Sequence, residues 1–113
     1  MKTPVTARIG WVSVPVTFEY NASDPYAVMM TVHGEVDVIW HLGRDLLYHG
    51  LTCMVGDGDV RITSGPMTIG IHLESPHGKS LMLFRRHDIQ RMLRDASAEV
   101  PFGREVLDWS AAA

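Results

Sequence analysis

Apolar residues at every second position from 12 to 18 constrain this chain more than any other feature. Val12, Val14, Val16 and Phe18 alternate with Ser13, Pro15, Thr17 and Glu19, the period of a strand that buries one face. Proline cannot donate to a strand ladder, so Pro15 predicts an edge strand or a strand start. Asn21-Ala22-Ser23-Asp24-Pro25 then reads as a turn, in which Pro25 fixes φ and Asp24 or Asn21 bonds the local backbone.

The pattern continues in short pieces. Tyr26 to Val32 reads as a strand, and Val36, Val38 and Trp40 supply the alternation of the next, with His33-Gly34-Glu35 as the hairpin between them. Gly43 to Gly50 has room only for a two-turn helix, which Gly50 is expected to end in the left-handed conformation. Gly56-Asp57-Gly58 reads as a loop. Val60-Arg61-Ile62, Thr68 to Leu73 and Ser80 to Phe84 read as strands, the last two joined by Ser75-Pro76-His77-Gly78-Lys79. Ile89, Met92, Leu93 and Ala96 fall at i, i+3, i+4 and i+7, one apolar stripe of a longer helix that Pro101 and Gly103 close. The expected order is about four strands, a short helix, about three strands and a longer helix. Connections this short leave no room for parallel crossovers, so the class is α+β with largely antiparallel sheet.

A chain of 113 residues fits one domain, residues 1–113, able to bury roughly 65% of its unfolded surface. The tail 105–113 is expected to fray, unless Val106, Leu107 and Trp109 dock on a neighbour. A net charge of −3, from ten basic and thirteen acidic residues, argues against nucleic acid as a partner. The densest basic cluster, Arg85-Arg86 with Arg91 and Arg94, is interrupted by Asp88 and Asp95 and reads as a solvated helix face. A lone Cys53 excludes an intramolecular disulfide and a CxxC site. The N-terminus lacks the apolar core of a signal peptide and no stretch reaches the ~18 apolar residues of a membrane span, so a cytoplasmic protein without membrane insertion is expected.

The sequence offers little to catalysis. His33, Glu35 and Asp37 would share a face of a continuous strand and make a candidate metal site, but a hairpin at Gly34 breaks that alignment. His41 and His49 bracket the short helix at about 12 Å, too far to share a metal. Gly56-Asp57-Gly58-Asp59 lacks the ligand order and the twelfth-position Glu of a calcium loop. Phosphate-binding glycine motifs are missing, Ser64 lacks a nucleophile elbow, and Cys53 shows no local activation. Catalytic, cofactor-binding and metal-binding residues are therefore all expected to be absent, and the protein is expected not to be an enzyme.

One ordered series remains: Val14-Pro15-Val16, Tyr20, Asp24-Pro25-Tyr26-Ala27-Val28, Trp40, Arg44-Asp45-Leu46-Leu47, Gly50-Leu51, Gly56-Asp57-Gly58-Asp59-Val60-Arg61, Leu73, Ser75-Pro76, Gly78 and Val100-Pro101-Gly103-Glu105. In this order the motifs resemble the SsgA-like proteins, the small sporulation and cell-division regulators of filamentous actinomycetes, and within them the SsgB-type branch. The resemblance implies a fold similar to the plant whirly proteins, with two antiparallel sheets and packed helices. It also implies a homo-oligomer, a trimer, that acts at division septa as an adaptor for the tubulin-like FtsZ or for other SsgA-like proteins. Single-stranded nucleic-acid binding is the alternative that a whirly-like fold suggests, and Pro76-His77-Gly78-Lys79-Ser80-Leu81 echoes the whirly motif with only one lysine.

On physical grounds the signature residues are structural before they are functional. Asp24-Pro25-Tyr26 sets a turn, Trp40 supplies a large buried surface, Arg44-Asp45 pins the short helix through an ion pair or cap, and Leu46 and Leu47 anchor it. Three departures stand out: Leu42 and Gly43 replace the common Phe and Ala, Ser64 replaces a frequent Trp-Pro, and the sequence stops soon after Trp109 where many members carry a longer tail.

Overall fold

The structure, a computed structural model, describes residues 1–106. Leu107 and Trp109, expected to dock on a neighbour, lie outside the described residues. The order is β1 (Lys2–Ile9), β2 (Val12–Glu19), β3 (Ala27–Val32), β4 (Val38–Gly43), α1 (Arg44–His49), β5 (Val55–Asp57), β6 (Val60–Ser64), β7 (Thr68–Ser75), β8 (Gly78–Arg85) and α2 (Arg86–Glu99). All eight strands belong to one antiparallel sheet in the order β4-β3-β2-β1-β8-β7-β6-β5. Two separate sheets were expected. The difference rests on a narrow joint: each half is a four-stranded meander, and the only registered pair between β1 and β8 is Arg8 with Leu83.

The sheet curls around its joint. Phe18 of β2 and Phe84 of β8 meet with ring centroids 5.4 Å apart, and the small, buried Ala7 of the intervening β1 leaves them room. Residues of β3 and β4 line one cavity together with residues of β7 and β8, so the two halves face each other across the concave side. Alternation supplies that side, with Val16, Phe18, Val28, Met30, Ile69, Ile71, Met82 and Phe84 all buried. Ile89, Met92, Leu93 and Ala96 of α2 join the same core, as the helical spacing requires. Each large side chain there contributes roughly 1.5 to 3 kcal/mol.

Pro15 is not at an edge. β2 is flanked by β1 and β3, but the β2–β3 ladder ends at Val16 and Val32, and just beyond it the Pro15 carbonyl accepts from the His33 N–H at 3.0 Å. The missing donor therefore falls where no partner strand needs it. β1 went unlocated in the sequence because its inward positions include Thr3 and Ala7 and it contains Pro4. β5, read as loop, is a three-residue strand that pairs with β6 through the Gly58-Asp59 turn. Gly58 has φ +58°, the left-handed region that favours glycine.

Gly50 corrects a second expectation. Its φ of −64° and ψ of −14° are ordinary helical values, so it does not end α1 by turning left-handed. Its small size is what matters, because a Cβ there would lie 2.4 Å from Cγ2 of buried Ile62 and 3.2 Å from the Leu46 carbonyl oxygen. Only glycine lets α1 lie against β6 at this distance. Gly50→Ala, ordinarily favourable near a helix end, is expected to destabilise the chain by about 1 to 3 kcal/mol through overpacking. A urea midpoint unchanged from the parent would show that the contact yields.

Candidate functional site

Signature residues that are far apart in the sequence converge on the guanidinium of Arg44. Arg44 opens α1 and is fully buried. Its backbone N–H donates to the Tyr26 carbonyl at 2.8 Å, which starts the helix where the preceding Gly43 offers no side-chain cap. Its Nη1 donates to the Val100 carbonyl at 2.6 Å, and its Nη2 is paired with the Glu105 carboxylate. The guanidinium carbon stands 4.2 Å from the Phe102 ring centroid and 5.0 Å from that of Tyr20. Nε has no hydrogen-bond partner among the described residues.

The ring around this charge is closed by the other signature segments. Tyr20 Oη donates to the Pro25 carbonyl at 2.9 Å, and Tyr26 Oη donates to the Glu105 carbonyl at 3.2 Å. The Gly103 N–H donates to the second Glu105 oxygen at 2.9 Å, and Phe102 packs on Tyr48 of α1 with ring centroids 4.8 Å apart. The chain from Val100 to Glu105 is thus a strap across α1. Hydrogen bonds from its own backbone N–H and from Arg44 hold the Glu105 carboxyl below its usual pKa. Burial pushes the Tyr20 phenol up, against the opposing pull of Arg44.

Of the ion pair or cap expected at Arg44-Asp45, the structure shows an ion pair, made by Arg44 with Glu105. Arg44 reaches a partner 61 positions away, while Asp45 is exposed in the first turn of α1, where it suits the helix dipole. Leu47 is fully buried, and Leu46 and Leu51 pack against the core from half-buried positions. Trp40 is half-buried too, at the open mouth of the curled sheet, rather than a wholly buried core residue. Pro25, Ala27 and Val28 sit in or against the core, whereas Asp24 and Pro101 are exposed.

A second group of signature residues lines a groove of about 490 Å³ on the convex face, formed by the β5–β6 hairpin and the ends of β7 and β8. Gly58, Asp59, Val60 and Arg61 line it with His72 and Lys79. His72 holds Thr63 Oγ1 at 3.2 Å and lies 3.5 Å from Arg61 Nη2. Burial and then the Arg61 charge push its imidazole down in pKa. Pro76 and Gly78 belong to the adjoining β7–β8 turn, both exposed.

Catalytic geometry is not assembled from the candidates. His33 contacts Thr17 Oγ1 at 2.7 Å and Asp37 at 3.4 Å, while the segment from 33 to 37 bends and Glu35 is not brought to them as a third ligand. Among the described residues no three His, Cys, Asp or Glu side chains converge as a metal site. Ser64 Oγ donates to the Leu51 carbonyl and contacts Arg86. Cys53 Sγ is exposed and lies 3.4 Å from the His49 carbonyl, not from its ring. The basic cluster disperses as well. Arg86 staples Leu51, Ser64 and Gly65, Arg91 sits 3.6 Å from Asp88, and Arg85 and Arg94 are exposed.

Residues 14–105 match the family of the Streptomyces sporulation and cell division protein SsgA. The chain belongs to this family. It is 38% identical over 99 residues to the sporulation-specific cell division protein SsgB of Kineococcus radiotolerans, covering 81% of this chain and 60% of that protein. The chain therefore spans less than two thirds of that relative's length. SsgB of Streptomyces coelicolor is 38% identical over 98 residues, covering 81% of this chain and 72% of the relative. A solved structure from work on SsgB mutations that correlate with longitudinal cell division during sporulation of Streptomyces coelicolor superposes with a TM-score of 0.85 at 32% identity, over 92% of this chain and 91% of that one. An SsgA-like sporulation-specific cell division protein from Thermobifida fusca gives a TM-score of 0.85 at 28% identity, over 93% of this chain and 85% of that one. The fold of this SsgA-family chain is thus that of its relatives, and among its described residues no helix is long and apolar enough to cross a membrane.

The strap's stability should depend on acid. A carboxyl with a lowered folded pKa stabilises the fold above its unfolded value, near 4.5, and that contribution is lost as pH falls through the folded value. Glu105→Gln is expected to melt lower than the parent at pH 7 and to lose less further stability below about pH 4.5. Parallel melting curves for the two chains across that range would contradict the strap.

Proposed function

We propose that this chain is a non-enzymatic adaptor of sporulation septation that works through protein–protein contacts with FtsZ or with other SsgA-like proteins. In this reading it is cytoplasmic, gathers at division septa and acts as a homo-oligomer, a trimer. The observation that carries the reading is the family match over residues 14–105. Relatives named as sporulation-specific cell division proteins support it. The site geometry agrees, because Arg44, Ser64, Arg86 and His72 are occupied with internal contacts.

Single-stranded nucleic-acid binding fits less well. It needs a basic groove with aromatic rings on which bases stack. A basic groove of about 640 Å³ beside Arg8, Arg85, Arg86 and His87 has Phe84 as its one Phe, Tyr or Trp side chain, and that ring is buried.

A fluorescent fusion in sporulating hyphae, imaged with labelled FtsZ, tests the adaptor reading. Coincident ladders are expected, together with co-sedimentation of the purified chain with FtsZ polymers. A diffuse signal and no co-sedimentation would sink it.

A further inference from the structure

Charge is distributed unevenly over the sheet. Between Arg8 and Arg44 the sequence holds Glu19, Asp24, Glu35 and Asp37 and no lysine or arginine, so β2, β3 and β4 form an acidic flank of the half that β1 completes. Arg44 does not offset this, because it is buried against Glu105. Asp24 and Glu19 line one hollow with His41 near the Gly43 end of β4, while Glu35 and Asp37 precede its Val38 end.

β4 is the outer strand of that half. It pairs with β3 in unbroken register along its whole length and, among the described residues, with no strand on its other side. Such an edge presents unpaired N–H and C=O groups, which proteins usually blunt with lysine, proline or a bulge. Val38-Ile39-Trp40-His41-Leu42-Gly43 has none of these. Its side chains add apolar surface, Val38 being 50% exposed, Ile39 52% and the nearby Val36 79%. Behind the edge, Val38 and Trp40 line a cavity of about 320 Å³ with Ile9, Val32, Leu73 and Met82.

We propose that the free edge of β4 is a docking strand for an extended segment of a partner protein, apolar at alternate positions and carrying lysine or arginine at its ends. The added strand completes the backbone ladder, as in other strand-addition complexes. Its inward side chains enter the cavity beside Trp40, and its basic ends meet Glu35 and Asp37 on one side and Asp24 and Glu19 on the other. Charge decides against a second copy as occupant. Antiparallel pairing of two β4 edges would bring Glu35 and Asp37 of one copy toward the Gly43 end of the other, where Asp24 lies, and like charges oppose association. The proposal rests on the adaptor reading for the existence of a partner and adds where it docks and what chemistry it has.

The test uses the full chain and two labelled nonapeptides, Lys-Lys-Val-Thr-Ile-Thr-Val-Lys-Lys and its counterpart with Glu at the four flanking positions. Fluorescence anisotropy should show the lysine-flanked peptide binding at least about tenfold more tightly, with a preference that shrinks as salt rises. Bound peptide should slow hydrogen exchange at the β4 amides. Ile39→Lys changes an exposed position, should leave the circular dichroism spectrum intact, and should weaken binding by about tenfold or more. Glu35→Lys with Asp37→Lys should narrow the preference between the peptides while the edge still binds. The proposal is overturned by absent binding, by equal affinity for both peptides, by protection away from β4, by insensitivity to Ile39→Lys, or by self-association through β4 that the peptide does not compete. Because the probe is not FtsZ, failure here leaves the adaptor reading intact, and failure of septal localisation leaves a positive peptide result intact.

Discussion

One buried positive charge fixes the arrangement of everything around it. A guanidinium removed from water is tolerated only where carboxylate, carbonyl and ring partners replace its hydration. Arg44 finds them in Glu105, the Val100 carbonyl, Tyr20 and Phe102. These groups come from Tyr20, just past the end of β2, and from the strap that follows α2. Satisfying one side chain therefore sets the start of α1, the path of the chain after α2 and the turn that leads into β3. Glycine at position 50 completes the placement by letting α1 rest against Ile62.

This arrangement changes what the family signature means. Tyr20, Pro25, Tyr26, Arg44, Gly103 and Glu105 are spread over the sequence but belong to one internal assembly, most of whose polar groups are engaged within the chain. Residues committed in this way hold the fold, which under the proposed adaptor role leaves other positions for a partner. What remains available is the convex groove beside Arg61 and Lys79 and the acidic, unprotected edge of β4. Neither contains the residues that identify the family most sharply, with the exceptions of Gly58 to Arg61 in the groove, Trp40 at the mouth and Asp24 near the Gly43 end of β4.

Much of the fold was legible because alternation and helical spacing are local. Val14 to Phe18 and Ile89 to Ala96 stated their buried faces directly, whereas Val12, where the same alternation begins, is exposed at the β1–β2 turn. Less legible were elements with weak or non-local causes. β1 hides its inward face behind Thr3, Ala7 and Pro4, and β5 is too short to show a period. One sheet or two depends on a single Arg8–Leu83 pair, which leaves no mark in composition. Arg44 beside Asp45 invites a local ion pair, and nothing in the neighbourhood points to Glu105. Gly50 illustrates a subtler limit, since glycine serves both left-handed turns and close contacts, and only the position of Ile62 tells them apart.

A double-mutant cycle of Arg44→Met and Glu105→Leu, measured by chemical denaturation of the full chain, tests the central claim most directly. The account predicts that Arg44→Met alone costs about 3 kcal/mol or more, and that the double variant loses much less than the sum of the single losses, because each single change strands the other charge. Additive losses would contradict it, placing the hold of the strap and of α1 somewhere other than this pair.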